Sequence, residues 1–172
     1  SVTINSKIKT FKKTITVSGD KSISIRWVLF SSLAEGVSTA KNLLNSQDVM
    51  AALNAIKRLG IKYKFKNGVC KIYGKGIDGY NYKKNLIINA ENSGTLGRLI
   101  LGLLINSPEK IKLIGDKSLS KRDFSRVVKP LELFGINIKT NRNKMPISIR
   151  GSKFLRPIFY KEEKVFQQFL LL

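Results

Sequence analysis

The chain has 172 residues, 42 % of them apolar, which is enough for one ordinary domain with a sizeable core and too much for a disordered chain. It carries 32 Lys and Arg against 11 Asp and Glu, a formal net charge of +21. That balance favours anionic partners: phosphorylated metabolites, nucleic acid or an acidic membrane surface. The basic residues are scattered, so composition alone does not choose among these. The absence of histidine and the single cysteine, Cys70, argue against a zinc site and leave no internal disulfide. No apolar run reaches the ~18 residues needed to cross a bilayer, and no basic-then-apolar signal segment opens the chain. A cytoplasmic protein is the simplest reading.

In chain order, residues 1–13 read as an N-terminal strand region. A strand follows at Thr14–Val17, a helix at roughly Ile23–Ala34 and a strand at Val37–Leu44. From Asp48 an amphipathic helix places Val49, Leu53, Ile56 and Leu59 on one face. Gly60 stands where a helix C-terminus favours positive φ. A hairpin then turns at Asn67-Gly68, between Tyr63 and Phe65 on one side and Val69 and Ile72 on the other. Residues 75–84 read as a connector. The next strand is Leu86–Asn89, and the next helix, Thr95–Ile105, is apolar on almost every side and therefore buried. After a strand at Lys110–Ile114, a second amphipathic helix from Asp123 aligns Val127, Leu131 and Phe134. Pro130 predicts either a kink or a helix that effectively starts near it. Gly135 closes that helix, and a second hairpin turns around Thr140–Lys144.

These elements repeat. DVMAALNAIKRLGIKYKFKNGVCKIYG, from Asp48 to Gly74, and DFSRVVKPLELFGINIKTNRNKMPISIRG, from Asp123 to Gly151, both open with Asp, reach a Gly-Ile pair and end in a hairpin and a Gly. Each is preceded by a strand, a helix and a strand. The expected fold is α/β (α+β), built from repeated β-α-β-α-β-β units: a first unit with its connector over 14–84 and a second over 85–164.

Three polar segments sit where chemistry could occur. Ser18-Gly19-Asp20-Lys21-Ser22-Ile23-Ser24-Ile25-Arg26 joins a strand to a helix start, where unpaired N–H groups make an anion site and Lys21 and Arg26 add charge. It reads equally well as a plain helix start capped by Asp20 or Ser22. Asn92-Ser93-Gly94-Thr95-Leu96-Gly97-Arg98 occupies the equivalent place in the second unit. Gly94 would let backbone approach a ligand. Arg98, in an apolar helix, needs an anionic partner, either a ligand or Glu91. Gly115–Asp123 is a basic loop in which Arg122 could be a third anion contact. Its plainer reading is a solvated loop, with Asp123 capping the next helix.

GDKSISIR resembles the signature Gly-(Asp or Ser)-Lys-Ser-(Ile or Val)-Ser-X-Arg of the 5-enolpyruvylshikimate-3-phosphate synthase family. NSGTLGR resembles its Asn-X-Gly-Thr-X-X-Arg segment. GDKSLSKRDF resembles its Gly-Asp-X-X-Leu-X-X-Arg-Pro segment, with Asp123 in place of Pro. The resemblance runs from about residue 7 to 164. It implies two repeat units of an enolpyruvyl transferase inside-out α/β barrel. It also implies transfer of the enolpyruvyl group from phosphoenolpyruvate to the 5-hydroxyl of shikimate-3-phosphate in the shikimate pathway of aromatic amino acid biosynthesis. By the same resemblance Lys21 contacts both substrates near the reacting centre, and Ser22 and Arg26 bind shikimate-3-phosphate. Gly94 and Arg122 would bind phosphoenolpyruvate, with Asn92 shaping their loop. The inhibitor glyphosate meets the family at the position of Gly94. The family uses no metal or organic cofactor and is usually monomeric, and neither nucleic acid nor membrane is an expected partner.

The sequence also departs from that pattern. Ile25 stands where the family often has His or Asn, and Thr16-Val17-Ser18 replaces a frequent Pro before Gly19. Residues 165–172 are atypical. The family's serine-rich substrate segment is unmatched there, although Gln168 could stand for its glutamine. A truncated or frame-shifted end is expected, and with it a chain that does not turn over alone. Two alternatives are a relative acting on a UDP-sugar and a non-catalytic basic module that binds RNA. The UDP-sugar enzymes usually carry Lys-Asn where this chain has Lys21-Ser22, and a loop cysteine that is absent here.

Overall fold

The computed structural model describes residues 14–161 without a break, together with Thr3, Asn5 and Lys12. Apart from those three positions, the expected strand region 1–13 lies outside the described residues, as does the atypical end 165–172 with Gln168.

Helices and strands alternate as expected of an α/β chain. Their order is α1 (Lys21–Leu33), β1 (Glu35–Ala40), α2 (Gln47–Arg58), β2 (Lys62–Lys66), β3 (Val69–Lys75), β4 (Ile87–Asn89), α3 (Gly94–Leu103), β5 (Ile111–Ile114), a single 3-10 turn (Leu119–Lys121), α4 (Ser125–Leu133), β6 (Asn137–Asn141) and β7 (Lys144–Arg150). Two sheets form, one ordered β1-β3-β2 and one ordered β4-β5-β7-β6. Among the described strands only the β4–β5 pair is parallel. The order β1-β3-β2 recurs in β5-β7-β6, so both hairpins fold back in the same sense.

Local chemistry explains most boundaries. Ser46 caps α2 by accepting the Val49 N–H, and Val49, Leu53, Ile56 and Leu59 are all fully buried, as the periodicity requires. The helices end at Gly60 (φ +86°) and Gly135 (φ +93°). The first hairpin turns at Asn67 (φ +51°) and Gly68 (φ +72°), a two-residue turn whose left-handed pair matches strand twist. The second turns at Arg142 and Asn143, where neither residue is glycine and both have positive φ.

One continuous apolar core joins the two sheets. It contains Ile25, Val28 and Leu29 of α1, Leu96, Ile100 and Leu101 of α3, and Ile72, Ile88 and Ile147 of the strands. The connector is fastened to it. The Tyr80 hydroxyl lies 2.6 Å from Ser32 Oγ, and Asn81 donates its N–H to the Leu59 carbonyl. Burial pushes the Tyr80 hydroxyl up to about 12, so it stays protonated at neutral pH.

Four expectations shift. Thr14–Val17 forms no strand: Ile15 and Val17 are 70 % and 68 % exposed, and the Val17 carbonyl accepts from the Asn42 side chain instead of a strand partner. Helix α1 begins two residues before Ile23, because Asp20 caps it. Strand β1 begins at Glu35 and ends at Ala40, since Lys41–Leu44 turn away to brace the helix start. Helix α4 runs through Pro130 and starts five residues before it. The buried face of α4 is set by Phe124, Val128 and Leu131, spaced i, i+4, i+7. Val127 and Phe134 are only half-buried.

The burial contrast within one residue type gives a direct test. Leu53→Ala is expected to cost about 2–5 kcal/mol in chemical unfolding. Leu133→Ala, at a position 51 % exposed, is expected to change stability by roughly 0.5 kcal/mol or less.

Candidate functional site

The first junction is the turn into α1. Asp20 has extended backbone and accepts the Ile23 N–H at 2.7 Å, so it is the cap and Ser22 is not. Lys21 is the first helical residue, with its side chain 55 % exposed and its Nζ 3.1 Å from the Asp48 carboxylate at the start of α2. Ser22 and Arg26 are half-buried on the same helix, and Ile25 faces the core. The loop after β1 clamps this turn. A Cβ on Gly19 would lie 2.3 Å from the Asn42 carbonyl oxygen, and Ser24 Oγ accepts the Leu44 N–H. Gly19 is therefore required by packing.

The second junction, into α3, is built in the same way. Ser93, fully buried, caps the helix by accepting the Leu96 N–H. The loop after β5 clamps the turn: Asp116 donates its N–H to the Glu91 carbonyl. Glu91 takes a left-handed backbone (φ +49°) and bonds Asn89 through both its N–H and its carboxylate.

Gly94, the first residue of α3, sits between two guanidinium groups. A Cβ placed on it would lie 3.0 Å from Nη1 of both Arg98 and Arg122. Arg98 donates to the Gly94 carbonyl at 3.3 Å and to the Asp123 carbonyl at 3.2 Å, and it stacks 5.0 Å from the Phe124 ring centre. Burial holds its pKa below the usual arginine value, and the charges of Arg122 and Arg126 act in the same direction. Arg122 donates to Asn92 Oδ1 at 3.1 Å, and Asn92 donates in turn to Asp116 at 2.6 Å. The bond from the Leu119 N–H keeps the Asp116 carboxyl below the usual carboxylate range, with the Asn92 amide adding to it. The Ser125 hydroxyl does the same for Asp123. Both acids are ionised at neutral pH.

Of the six residues singled out in the sequence, Asn92, Gly94 and Arg122 thus form one cluster with Arg98. Lys21, Ser22 and Arg26 form another on α1. No hydrogen bond or ion pair joins the two sets among the described residues. A groove between α2 and β4, lined by Gln47, Met50, Asn54, Arg58, Asn89 and Glu91, runs from beside Asp48 to beside Asn92, but none of the six lines it. Two expectations change. Glu91 is not the partner of Arg98, because it is turned to Asn89. Asp123 is not the residue adjoining α4: it holds Ser125 from one residue further out. Asp48 and Asp116 were missed as partners. The matched Asp48 and Asp123 at the head of each repeat were a usable signal for the first. Among the described residues no group of His, Cys, Asp or Glu could hold a metal ion, and no helix is long and apolar enough to cross a membrane.

Comparison with known proteins identifies what this chain is similar to. The family model described as EPSP synthase (3-phosphoshikimate 1-carboxyvinyltransferase) matches residues 5–170. A 3-phosphoshikimate 1-carboxyvinyltransferase of Streptococcus agalactiae serotype Ia is 40 % identical over 153 residues, 88 % of this chain and 36 % of its own length. The protein of that name in Streptococcus sanguinis is 38 % identical over 160 residues, 92 % of this chain and 37 % of its own length. An EPSP synthase structure from Acinetobacter baumannii superposes with a TM-score of 0.84 at 36 % identity, covering 90 % of this chain and 35 % of that one. The chain therefore spans a little over a third of the length of the curated relatives it matches.

Two glycine substitutions separate packing from anion contact. Gly94→Ala presses only on the movable ends of two arginines. It is expected to keep the melting temperature within a few degrees while weakening inorganic phosphate binding about tenfold, the worth of one charge-assisted hydrogen bond. Gly19→Ala meets fixed backbone and is expected to cost roughly 1–3 kcal/mol in thermal unfolding.

Proposed function

The chain belongs to the EPSP synthase family, and from that membership we propose that it carries part of the site that transfers an enolpyruvyl group from phosphoenolpyruvate to the 5-hydroxyl of shikimate-3-phosphate, releasing phosphate. In this reading Lys21 contacts both substrates beside the reacting centre. Ser22 and Arg26 hold shikimate-3-phosphate, while Gly94, Arg122 and Asn92 form the phosphoenolpyruvate end. Both substrates are small multiply charged anions. Fixed cations and helix-start N–H groups that hold them together lower the barrier by positioning and by electrostatics. The reaction as proposed needs no metal and no organic cofactor.

The observation that carries this reading is the crowding of Arg98 and Arg122 against Gly94 at the head of α3. Two like charges in contact with one helix N-terminus make a place where an anion is strongly favoured. The recurrent strand order supports the finer architecture, two repeat units over 14–84 and 85–164 of an inside-out barrel, of which the second has its opening strand, β4, and the first has none among the described residues. A monomeric, cytoplasmic protein without nucleic-acid or membrane partners completes the proposal.

The same electrostatics limit what these residues do. Asp116 and Asp123, the acids beside Arg122 and Arg98, are held ionised and are poor proton donors at neutral pH. These two acids therefore orient the arginines beside them and do not serve as proton donors.

Residues 1–172 on their own are expected to release no phosphate from a mixture of the two substrates; steady turnover would show that these residues suffice for the reaction. It is expected to bind shikimate-3-phosphate saturably, about tenfold more weakly in Arg26→Ala, by calorimetric titration. Lys21→Met should weaken both substrates and change the melting temperature by only a few degrees, since the Lys21 end of its ion pair with Asp48 is solvent-exposed. A salt-sensitive shift of labelled RNA, with no saturable binding of either metabolite, would replace this reading with an RNA-binding one.

A further inference from the structure

Among the described residues Asn92 is the one side chain hydrogen-bonded to Arg122, and its amide is pinned at both ends by partners of opposite kind, Arg122 and Asp116. A carboxylate only accepts and a guanidinium only donates. Asn92 must therefore present its NH2 to Asp116, at 2.6 Å, and its carbonyl oxygen to Arg122, at 3.1 Å. Rotating the amide by half a turn would set oxygen against carboxylate and NH2 against guanidinium, two repulsions in place of two bonds. Asp116 is itself fixed through three other atoms. Its second carboxylate oxygen accepts the Leu119 N–H at 2.6 Å, its N–H donates to the Glu91 carbonyl, and its carbonyl accepts the Ser120 N–H. The Arg122 side chain lacks this kind of fixation: it is exposed, and Asn92 is the one hydrogen-bond acceptor of its guanidinium among the described residues, its backbone N–H being bonded to the Leu119 carbonyl.

We propose that Asp116 is a positioning residue for the Gly94 site: it sets the polarity of the Asn92 amide, and through that amide it aims the Arg122 guanidinium at the head of α3. The inference rests on reading that junction as the phosphoenolpyruvate end of the site. Asp116 does not touch the ligand in this scheme. Its ionised state, assured by the Leu119 N–H, keeps the amide from turning at any pH near neutrality. A free arginine on an exposed loop samples many rotamers, and an anion binding to it must order it first. A pre-aimed one removes that cost.

The substitution that isolates the effect is Asp116→Asn. It is isosteric, and its amide oxygen can still accept the Leu119 N–H, so the fold should survive with a melting temperature close to the parent's. It turns an NH2 toward Asn92, which inverts the Asn92 amide and drives Arg122 away. Two readouts follow. In the ligand-free protein, nitrogen relaxation of the Arg122 Nε–Hε group should change from ordered to mobile, with Arg98 unaltered. Phosphoenolpyruvate affinity should fall roughly tenfold, with shikimate-3-phosphate affinity unchanged. Adding Asn92→Asp to Asp116→Asn restores the donor–acceptor order and should return Arg122 to its ordered state, a rescue that a merely structural aspartate would not allow. An Arg122 signal that is unmoved by Asp116→Asn, or not rescued by the paired exchange, overturns the proposal. Should the parent protein bind no phosphoenolpyruvate, the substrate reading of the junction fails, while the Arg122 relaxation still decides the role of Asp116.

Discussion

The central constraint on this molecule is a repulsion. Arg98 and Arg122 bring their guanidinium groups together over one glycine at the start of a helix whose backbone already presents positive charge there. Nothing about that arrangement is stable without neutral and anionic supports, and the structure supplies them individually. Arg98 rests on two carbonyl oxygens and the face of Phe124. Arg122 rests on Asn92, which leans on Asp116. None of these supports is a direct carboxylate contact, so among the described residues neither guanidinium is quenched by a salt bridge. Both keep donors available for an anion from outside.

The fold makes this possible by repeating one device. In each half, the loop leaving a sheet strand folds back against the turn that enters a helix. Asn42 and Leu44 do so at the first junction, and Asp116 does so at the second. Both turns are capped by a short polar side chain, Asp20 or Ser93. At each, a cation is held by the aspartate that heads the following repeat segment: Lys21 by the Asp48 carboxylate, Arg98 by the Asp123 carbonyl. The choice of group matters. A carboxylate at 3.1 Å partly neutralises Lys21, which stays half in water, whereas a carbonyl leaves the charge of Arg98 intact. The first junction is therefore the softer electrostatic site and the second the harder one.

Much of this was legible in the sequence because it depends on short-range rules. Periodicity found the buried face of α2, and glycine and asparagine found the helix ends and the first hairpin. The two halves of the cluster were visible as Asn92 with Gly94 and as Arg122. What sequence reasoning missed needed a partner distant in the chain. Thr14–Val17 has strand composition but no ladder among the described residues, and composition cannot show that. The face of α4 is set in part by Phe124, which lies just before the helix and was not among the residues aligned on its apolar face. Glu91 looked like the natural partner for Arg98 by proximity and charge, but its left-handed backbone turns it toward Asn89. Asp116 looked like one more polar loop residue until its bond across 24 positions to Asn92 was visible.

The net charge of +21 explains little by itself, and the structure indicates why. Much of it lies on the outer faces of the sheets, where Lys64 stands directly opposite Lys71 and the strand β2 alternates exposed lysines with half-buried aromatics. Such cross-strand like charges destabilise slightly and are separated from one another only by water and salt. They raise the average potential and attract any anion without preference. Arg98 is different in kind: burial lowers the stability of its charged form, so its environment gains when an anion arrives. Screening at physiological ionic strength weakens the lysine field over about 8 Å but acts much less on a half-buried group in contact with its ligand. Under the proposed function, selectivity for a small, multiply charged metabolite would therefore come from the few cations fixed at a helix start, and the many surface lysines would contribute mainly to the rate of encounter.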